Sequence, residues 1–195
     1  MAPSDRGPRE RIVFSAAQLI RRDGVTATGM RDVVEHAEAP RGSLQHYFPG
    51  GKEQLVNEAV DWAGRYASGR IGRYVAGMRR PSPGRLFVAM VAQWADDLAA
   101  NDFQRGCPVA AATVDCADSV ESTRLAAAAA FTSWRSPIAG ALRDMGVPAR
   151  KTASVATLMV SALEGAILIA RAEHDLRALH AVARELGPML DELVD

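Results

Sequence analysis

The 195-residue sequence contains only two cysteines, few aromatic residues and no excess of charge of either sign. Cys107 and Cys116 are too few for a disulfide framework, and this usage is typical of a reducing, cytoplasmic location. The 23 basic residues balance the 23 acidic ones, so the whole-molecule charge gives no sign of a polyanionic partner. The opening stretch MAPSDRGPRER has no apolar core, which argues against a signal peptide and favours a short flexible arm.

The common catalytic and metal-binding motifs are also missing. The sequence has no Gly-x-Ser-x-Gly elbow, no phosphate-binding glycine loop, no His-Glu-x-x-His and no Cys-x-x-Cys. His174 and His180 are six residues apart and fall on different faces of a helix, which disfavours a metal pair. We therefore expect no enzyme activity, no metal and no cofactor. The two cysteines leave two interpretations open, a redox sensor or a pair of small buried apolar side chains.

No segment shows the alternation of apolar and polar residues that is typical of a strand. Every apolar run repeats with helical spacing, and clusters of Gly and Pro separate the runs. The fold class predicted from this pattern is all-α, with about nine helices. Apart from two short helices described below, they cover approximately Arg9–Asp23, Lys52–Val75, Gly84–Ala100, a short helix from Pro108, Val120–Met145 with a kink at Pro137, Ala149–Ala172 and Leu176–Leu193.

The helix predicted over Ala149–Ala172 is unusual because residues 155–170 are almost all small or apolar. A helix that is apolar on all sides is buried on all sides. A membrane span is disfavoured because Glu164 interrupts a run that is already shorter than the roughly 18 residues required. We therefore expect this helix to pack between its own core and a second subunit, with Gly165 permitting close approach. A narrow polar stripe lies either in that interface or along a cavity: Thr157, Ser161 and Glu164.

The most informative segment is residues 28–52, TGMRDVVEHAEAPRGSLQHYFPGGK. Its first part predicts a helix of about nine residues with one apolar face. Thr28 stands just before this helix and is a suitable N-cap, since its side-chain oxygen can accept from a free amide of the first turn. The apolar face comprises Met30, Val33, Val34 and Ala37.

A second short helix is predicted after a tight turn. Pro40 suits its first turn, where a missing N–H costs nothing, and Leu44 and Phe48 are spaced to point inward. Its other faces carry side chains of the kinds that contact phosphates and base edges, namely Arg41, Ser43, Gln45, His46 and Tyr47. Two short helices joined by a tight turn, the second with a polar outer face, are typical of a helix-turn-helix.

This segment resembles the DNA-binding domain of the TetR family of transcriptional regulators. The matching residues are Gly24, Thr28, Val33, Val34, Ala37, Arg41, Gly42, Ser43, Leu44, Tyr47, Phe48 and Lys52. Two residues depart from the family pattern, since Glu38 stands in place of the usual turn glycine and Gln45 in place of a common tyrosine. The stretches PGGK at 49–52 and GCPV at 106–109 are similar to the LmrA/YxaF-like subgroup.

The resemblance implies a DNA-binding domain at residues 1–52 and an effector-binding and dimerisation domain at residues 53–195. It implies a cytoplasmic homodimer, paired through its last two helices, that acts as a repressor on a palindromic double-stranded DNA operator. A small-molecule effector would release it, and no membrane is involved. DNA contacts are expected from Thr28, Arg31, Arg41, Gly42, Ser43, Gln45, His46, Tyr47 and Lys52.

Within this set the side-chain chemistry suggests different roles. Arg41 and Gln45 have the reach and the donors for base edges, Arg for guanine and Gln for adenine. His46 suits either bases or phosphates. The remaining residues with an assigned role would hold phosphates: Thr28, Ser43, Tyr47 and Lys52.

A second group of residues in the predicted body consists of aromatic side chains, methionines and one acid. Rigid aromatic rings and flexible methionines suit a pocket for a mostly apolar effector, with the acid as its polar anchor. The candidates are Trp62, Tyr66, Phe87, Met90, Trp94, Phe131, Trp134, Met159 and Glu164. Ordinary core packing, or a carboxylate paired in an interface, stays open as the alternative for these residues.

A different class of function also stays open, a helical small-molecule-binding protein or an enzyme without DNA binding. The lack of any nucleophile–base or metal-ligand spacing counts against it.

Overall fold

The computed structural model describes residues 7–40 and 42–194, and this part of the chain forms nine helices and no strand. The predicted all-α fold class and the predicted number of helices are confirmed. The helices are α1 (Pro8–Ala27), α2 (Met30–His36), α3 (Ser43–Tyr47), α4 (Gly51–Ala76), α5 (Pro83–Ala100), α6 (Pro108–Cys116), α7 (Glu121–Asp144), α8 (Ala149–Glu173) and α9 (Arg177–Asp191). The expected N-terminal arm lies mostly outside the described residues.

The chain divides into two compact units, and each unit combines two separate stretches. The first unit joins the chain up to Arg65 with Cys107–Phe131, and the second joins Tyr66–Gly106 with residues 132–195. Two of the boundaries fall inside α4 and α7, and the third immediately precedes α6. The expected functional division after residue 52 stays a prediction, and α6 packs with the N-terminal helices rather than with the body.

In the first unit, α1 packs against α2 and α6. Its inward face is the predicted one, since Ile12, Ala16, Leu19 and Ile20 are at most 4% exposed. Gly24 has φ 84° and ψ 170°, a backbone conformation that only glycine adopts readily, and it interrupts α1 where the sequence predicts the helix to stop. One further turn continues beyond Gly24 to the end of α1.

In the second unit, α5, α8 and α9 pack together. Their shared core contains Phe87, Met90, Met159 and Leu163, each at most 2% exposed. Close approach of α5 to α9 requires a glycine at the start of α5, because a side chain at Gly84 would collide with the backbone of α9. The packing of these three helices leaves the opposite face of α8 outside the core.

Helix α8 has one buried face and one exposed face. Among the described helices it alone is long and apolar enough to cross a membrane, and 44% of its most apolar stretch is buried within the chain. Leu158, Leu168 and Ile169 on its other side are 49–55% exposed. Within the subunit α5 and α9 cover only one face of α8, and the expectation that a second subunit covers the other face stays a prediction.

Candidate nucleic-acid interface

The two helices of the predicted helix-turn-helix are present but short. Helix α2 has seven residues instead of the predicted nine, and α3 has five. Val33 and Val34 are 1% and 5% exposed, which confirms the buried face of α2. Pro40 lies before α3 rather than in its first turn, and its carbonyl accepts from the Ser43 amide at 2.9 Å. This backbone hydrogen bond joins Pro40 to the first residue of α3.

The N-cap role predicted for Thr28 is wrong. Gly29, not Thr28, occupies the N-cap position of α2. The Thr28 hydroxyl instead donates to the Gly24 carbonyl at 2.6 Å, and its amide donates to the Val25 carbonyl at 3.2 Å. Because the side chain is 5% exposed and both donors are used within the protein, Thr28 stabilises the corner between α1 and α2, and it is left out of the phosphate contacts proposed below.

The turn between α2 and α3 keeps the geometry of a glycine turn without a glycine. Glu38 has φ 50°, in the left-handed region that non-glycine residues rarely adopt. Its amide donates to the Glu35 carbonyl at 3.0 Å, and the next amide, of Ala39, donates to the Val34 carbonyl at 3.1 Å. Glu38, which stands in place of the usual turn glycine, therefore keeps the turn by adopting a strained backbone conformation with its side chain exposed.

Helix α3 presents its polar side chains to solvent. None of its five described residues is buried, and Gln45 and His46 are exposed. The His46 ring packs edge-on against Tyr47, with 4.7 Å between ring centroids. Phe48, directly after the helix, is 2% exposed and anchors it to the protein as predicted. The predicted inward residue Leu44 is only half-buried.

The remaining predicted DNA-contacting residues lie at the start of α3 or on either side of it. Arg31 on α2 and Gly42 before α3 are exposed, and Ser43 is half-buried. Lys52, in the first turn of α4, is half-buried, and its ammonium group donates to the Thr26 carbonyl at 3.3 Å. Arg41 lies outside the described residues, so its assignment rests on the sequence.

Sequence reasoning missed Asp115, which holds the corner that precedes α2. Its carboxylate accepts from the Val25 amide at 2.6 Å and from the Thr26 amide at 3.2 Å. A side chain at Gly24 would lie 2.7 Å from the same carboxylate oxygen, so this contact also requires glycine there. No local pattern identifies Asp115, because its partners lie about 90 residues earlier in the chain.

The candidate effector residues fall into both compact units. Trp62 and Phe131 belong to the first unit, where the Trp62 ring packs edge-on against Phe14 with 5.3 Å between ring centroids. Trp62 therefore packs with a helix of the N-terminal head, although the sequence places it among the body residues.

In the second unit the candidates differ in exposure. Phe87, Met90 and Met159 are core residues, and Trp134 is 5% exposed. Tyr66 is 49% exposed and lies beneath the Arg70 guanidinium, 5.3 Å from the ring centroid. Trp94 is half-buried. Both carboxylate oxygens of Glu164 are buried.

The two cysteines lie at opposite ends of α6, and both are buried. The two cysteines are nine positions apart, which corresponds to roughly 13.5 Å at 1.5 Å per residue, too far for a disulfide bond while α6 is intact. Burial raises the pKa of the Cys116 thiol, and the charge of neighbouring Asp115 raises it further. Cys116 is therefore less reactive than an ordinary thiol.

A first helix with one buried face, a tight turn and a second helix with an exposed polar face together define a helix-turn-helix DNA-binding protein. Within the described residues, no group of three or more His, Cys, Asp or Glu side chains is placed to hold a metal ion. The model of bacterial regulatory proteins of the tetR family matches residues 12–59, and the LmrA/YxaF-like C-terminal domain model matches residues 83–185.

The chain belongs to the TetR family of transcriptional regulators, with a C-terminal domain of the LmrA/YxaF-like type. It is a DNA-binding transcriptional regulator and not an enzyme.

Relatives extend over nearly the whole chain. The HTH-type transcriptional regulator Rv0196 of Mycobacterium tuberculosis is 42% identical over 190 residues, which is 95% of each chain. The regulator YxaF of Bacillus subtilis is 30% identical and covers 91% of this chain and 92% of its own. A solved TetR regulatory protein from Rhodobacter sphaeroides has a TM-score of 0.81 at 19% identity, covering 93% of this chain and 97% of its own. This last likeness shows the fold alone.

Proposed function

We propose that this protein represses transcription as a homodimer that places α3 of each subunit in the major groove of a palindromic operator. The observation that supports this most directly is α3 itself, which exposes polar side chains and is followed directly by the buried Phe48. The major groove is about 12 Å wide and admits a helix, so an exposed helix of this kind can reach base edges.

The contacts follow from the chemistry of the exposed groups. The Gln45 amide both donates and accepts, and therefore suits the N6 and N7 atoms of adenine. Arg41 is proposed for guanine on sequence grounds. His46 is exposed and can contact either bases or phosphates. The phosphate-contacting residues are proposed to be Arg31, Gly42, Ser43, Tyr47 and Lys52.

The dimer is proposed to form through the exposed faces of α8 and α9. Leu158, Leu168 and Ile169 recur on one side of α8, and Met189 on α9 is 59% exposed. A side chain built at Gly165 would meet nothing within 4 Å, so packing inside the subunit does not explain a glycine there. A second copy of α8 that approaches closely would explain both the apolar face and the glycine.

A small, mostly apolar effector is proposed to bind in the body and weaken operator binding. The second unit supplies aromatic and methionine side chains together with the buried carboxylate of Glu164, which would orient a polar group of the ligand. By linkage, the operator must weaken effector binding by the same free energy by which the effector weakens operator binding. This coupling free energy is typically about 1–3 kcal/mol.

Selection of DNA from a random duplex library with the purified protein tests the proposal, followed by transcription in vitro from a promoter that carries the selected sequence. We expect an inverted repeat whose half-site centres are about 34–36 Å apart or a multiple of that distance, and less transcript when the protein is added. A selected sequence without two-fold symmetry would contradict the dimeric arrangement, and more transcript would contradict repression.

A further inference from the structure

We infer that Gln54, supported by Glu58 and Arg9, is a positioning residue that sets the orientation of α3 for sequence-specific DNA binding. The inference rests on the proposed placement of α3 in the major groove. None of the three residues is expected to contact base edges. Their role is to hold the helix whose side chains do.

Helix α3 needs such support because it cannot hold its own orientation. Five residues form little more than one helical turn, and so short a helix is not stable by itself. None of these five residues is buried, so core packing within α3 does not fix its angle. The nearest buried anchor is Phe48, which immediately follows the helix.

The Gln54 side chain bonds to both sides of the segment that connects α3 to α4. Its Oε1 atom accepts from the Gly50 amide at 2.9 Å. Its Nε2 group donates to the Tyr47 carbonyl, the last residue of α3, at 3.5 Å, and to the Glu58 carboxylate at 2.9 Å. One side chain thus ties the end of α3 to the start of α4.

The chemistry of these partners allows only one orientation of the Gln54 amide. The Gly50 amide can only donate, so the oxygen of Gln54 must face it. The Glu58 carboxylate and the Tyr47 carbonyl can only accept, so the NH₂ group must face them. A residue with acceptors alone or donors alone at position 54 cannot satisfy this arrangement.

Glu58 and Arg9 extend the network to α1. The Arg9 guanidinium donates to the Glu58 carboxylate at 2.7 Å. The same guanidinium lies over the Phe48 ring, 5.2 Å from its centroid. Arg9 therefore contacts both the polar network and the apolar anchor of α3, and the end of α3 is held from α1 and α4 together.

A small change of angle is enough to affect readout. Five residues span about 7.5 Å at 1.5 Å per residue, so a tilt of roughly 10° moves the far end by about 1.3 Å. A hydrogen bond of ordinary length does not survive such a shift. Loss of the network should therefore remove discrimination between sequences while leaving the charge of the surface intact.

The test uses two variants of the full chain and one matched control. Gln54→Met keeps the length of the side chain and removes its hydrogen bonds. Glu58→Met removes the oxygen that accepts from both Arg9 and Gln54, together with one negative charge. The control is Gln93→Met on α5, which loses a single hydrogen bond from Tyr74 at 3.3 Å in the second unit.

Dissociation constants are measured for the duplex selected by the wild-type protein and for a scrambled duplex, at several salt concentrations. For Gln54→Met we expect affinity for the selected duplex to fall about 5- to 30-fold. The affinity for the scrambled duplex and the slope of the salt dependence should each change by less than about twofold. Glu58→Met should also lose discrimination, although removal of a negative charge alone would tighten binding to both duplexes. Gln93→Met should behave like the wild type.

The outcomes separate this inference from the proposed function. If Gln54→Met and Glu58→Met keep the wild-type ratio between the two duplexes, the positioning role is overturned, even when their unfolding temperatures fall. If Gln45→Ala keeps that ratio, the placement of α3 in the groove is wrong, whatever the other variants do. Should Gln54→Met not fold, as judged by circular dichroism, Glu58→Met decides the question, because it removes the shared acceptor of Arg9 and Gln54 and leaves Gln54 itself in place.

Discussion

Replacement of Glu38 by glycine should stabilise the protein, which is the reverse of the usual effect of glycine. Glu38 has φ 50° and an exposed side chain. The left-handed conformation costs a residue with a side chain about 1–2 kcal/mol, while the greater freedom of glycine in the unfolded chain costs about 0.5–1 kcal/mol. The difference favours Glu38→Gly by up to about 1.5 kcal/mol.

Glu35, three residues earlier, provides the matched control. It is also exposed, but it lies within α2 in helical conformation. Glu35→Gly should therefore destabilise the protein by about 1 kcal/mol. For a chain of this size, 1 kcal/mol corresponds to roughly 2–4 °C in unfolding temperature, so the two variants should shift in opposite directions.

Urea unfolding followed by circular dichroism gives both free-energy changes under the same conditions. The expected result is a higher midpoint for Glu38→Gly and a lower one for Glu35→Gly, with Glu38→Val, whose branched side chain tolerates positive φ poorly, well below the wild type. If Glu38→Gly is destabilised as much as Glu35→Gly, the turn is not strained at Glu38, and the description of the helix-turn-helix is incorrect at that residue.

Three further outcomes are expected. Gly165→Arg should produce a folded monomer in light scattering. Gly140→Arg, at another glycine beside open space, should stay dimeric. A dimeric Gly165→Arg protein would place the interface elsewhere. Asp115→Ala should lower the free energy of unfolding in urea by about 1–2 kcal/mol, because two amides lose their acceptor. Asp118→Ala, at an exposed aspartate, should change it by less than about 0.5 kcal/mol, and equal effects of the two variants would refute the role of Asp115. Alkylation of Cys116 should reach its half-maximal rate at a higher pH than alkylation of a model thiol. The pKa of Cys116 is raised, so less of it is thiolate at any given pH below that pKa. A midpoint at lower pH would contradict its buried environment.

Helical periodicity predicted much of the fold because each long helix buries a continuous apolar face. The inward residues of α1 follow directly from this spacing. Thr28 shows where the reasoning stops, because one hydroxyl can serve either the last turn of α1 or the first turn of α2. Local sequence does not decide between these two partners, and the structure pairs Thr28 with Gly24.

Residues that position the candidate interface were harder to predict than residues that line it. Gln45 and His46 are visible as polar residues on a short helix with an apolar anchor. Asp115 acts on a corner about 90 residues earlier in the chain, and Gln54 acts through an amide and a carboxylate that only the folded chain brings together. The apolar run of α8 did indicate a helix covered from two sides, but composition alone does not show which side its own subunit covers.

The central claim, that α3 reads bases in the major groove, is tested most directly by the base preferences of Gln45→Ala. Duplex selection is carried out in parallel with the wild-type protein and the variant, and the preference at each position is compared. We predict that the variant loses about 1–3 kcal/mol of discrimination at one position in each half-site, related by the two-fold axis, while the other positions keep their preferences. Unchanged preferences at every position would contradict the claim.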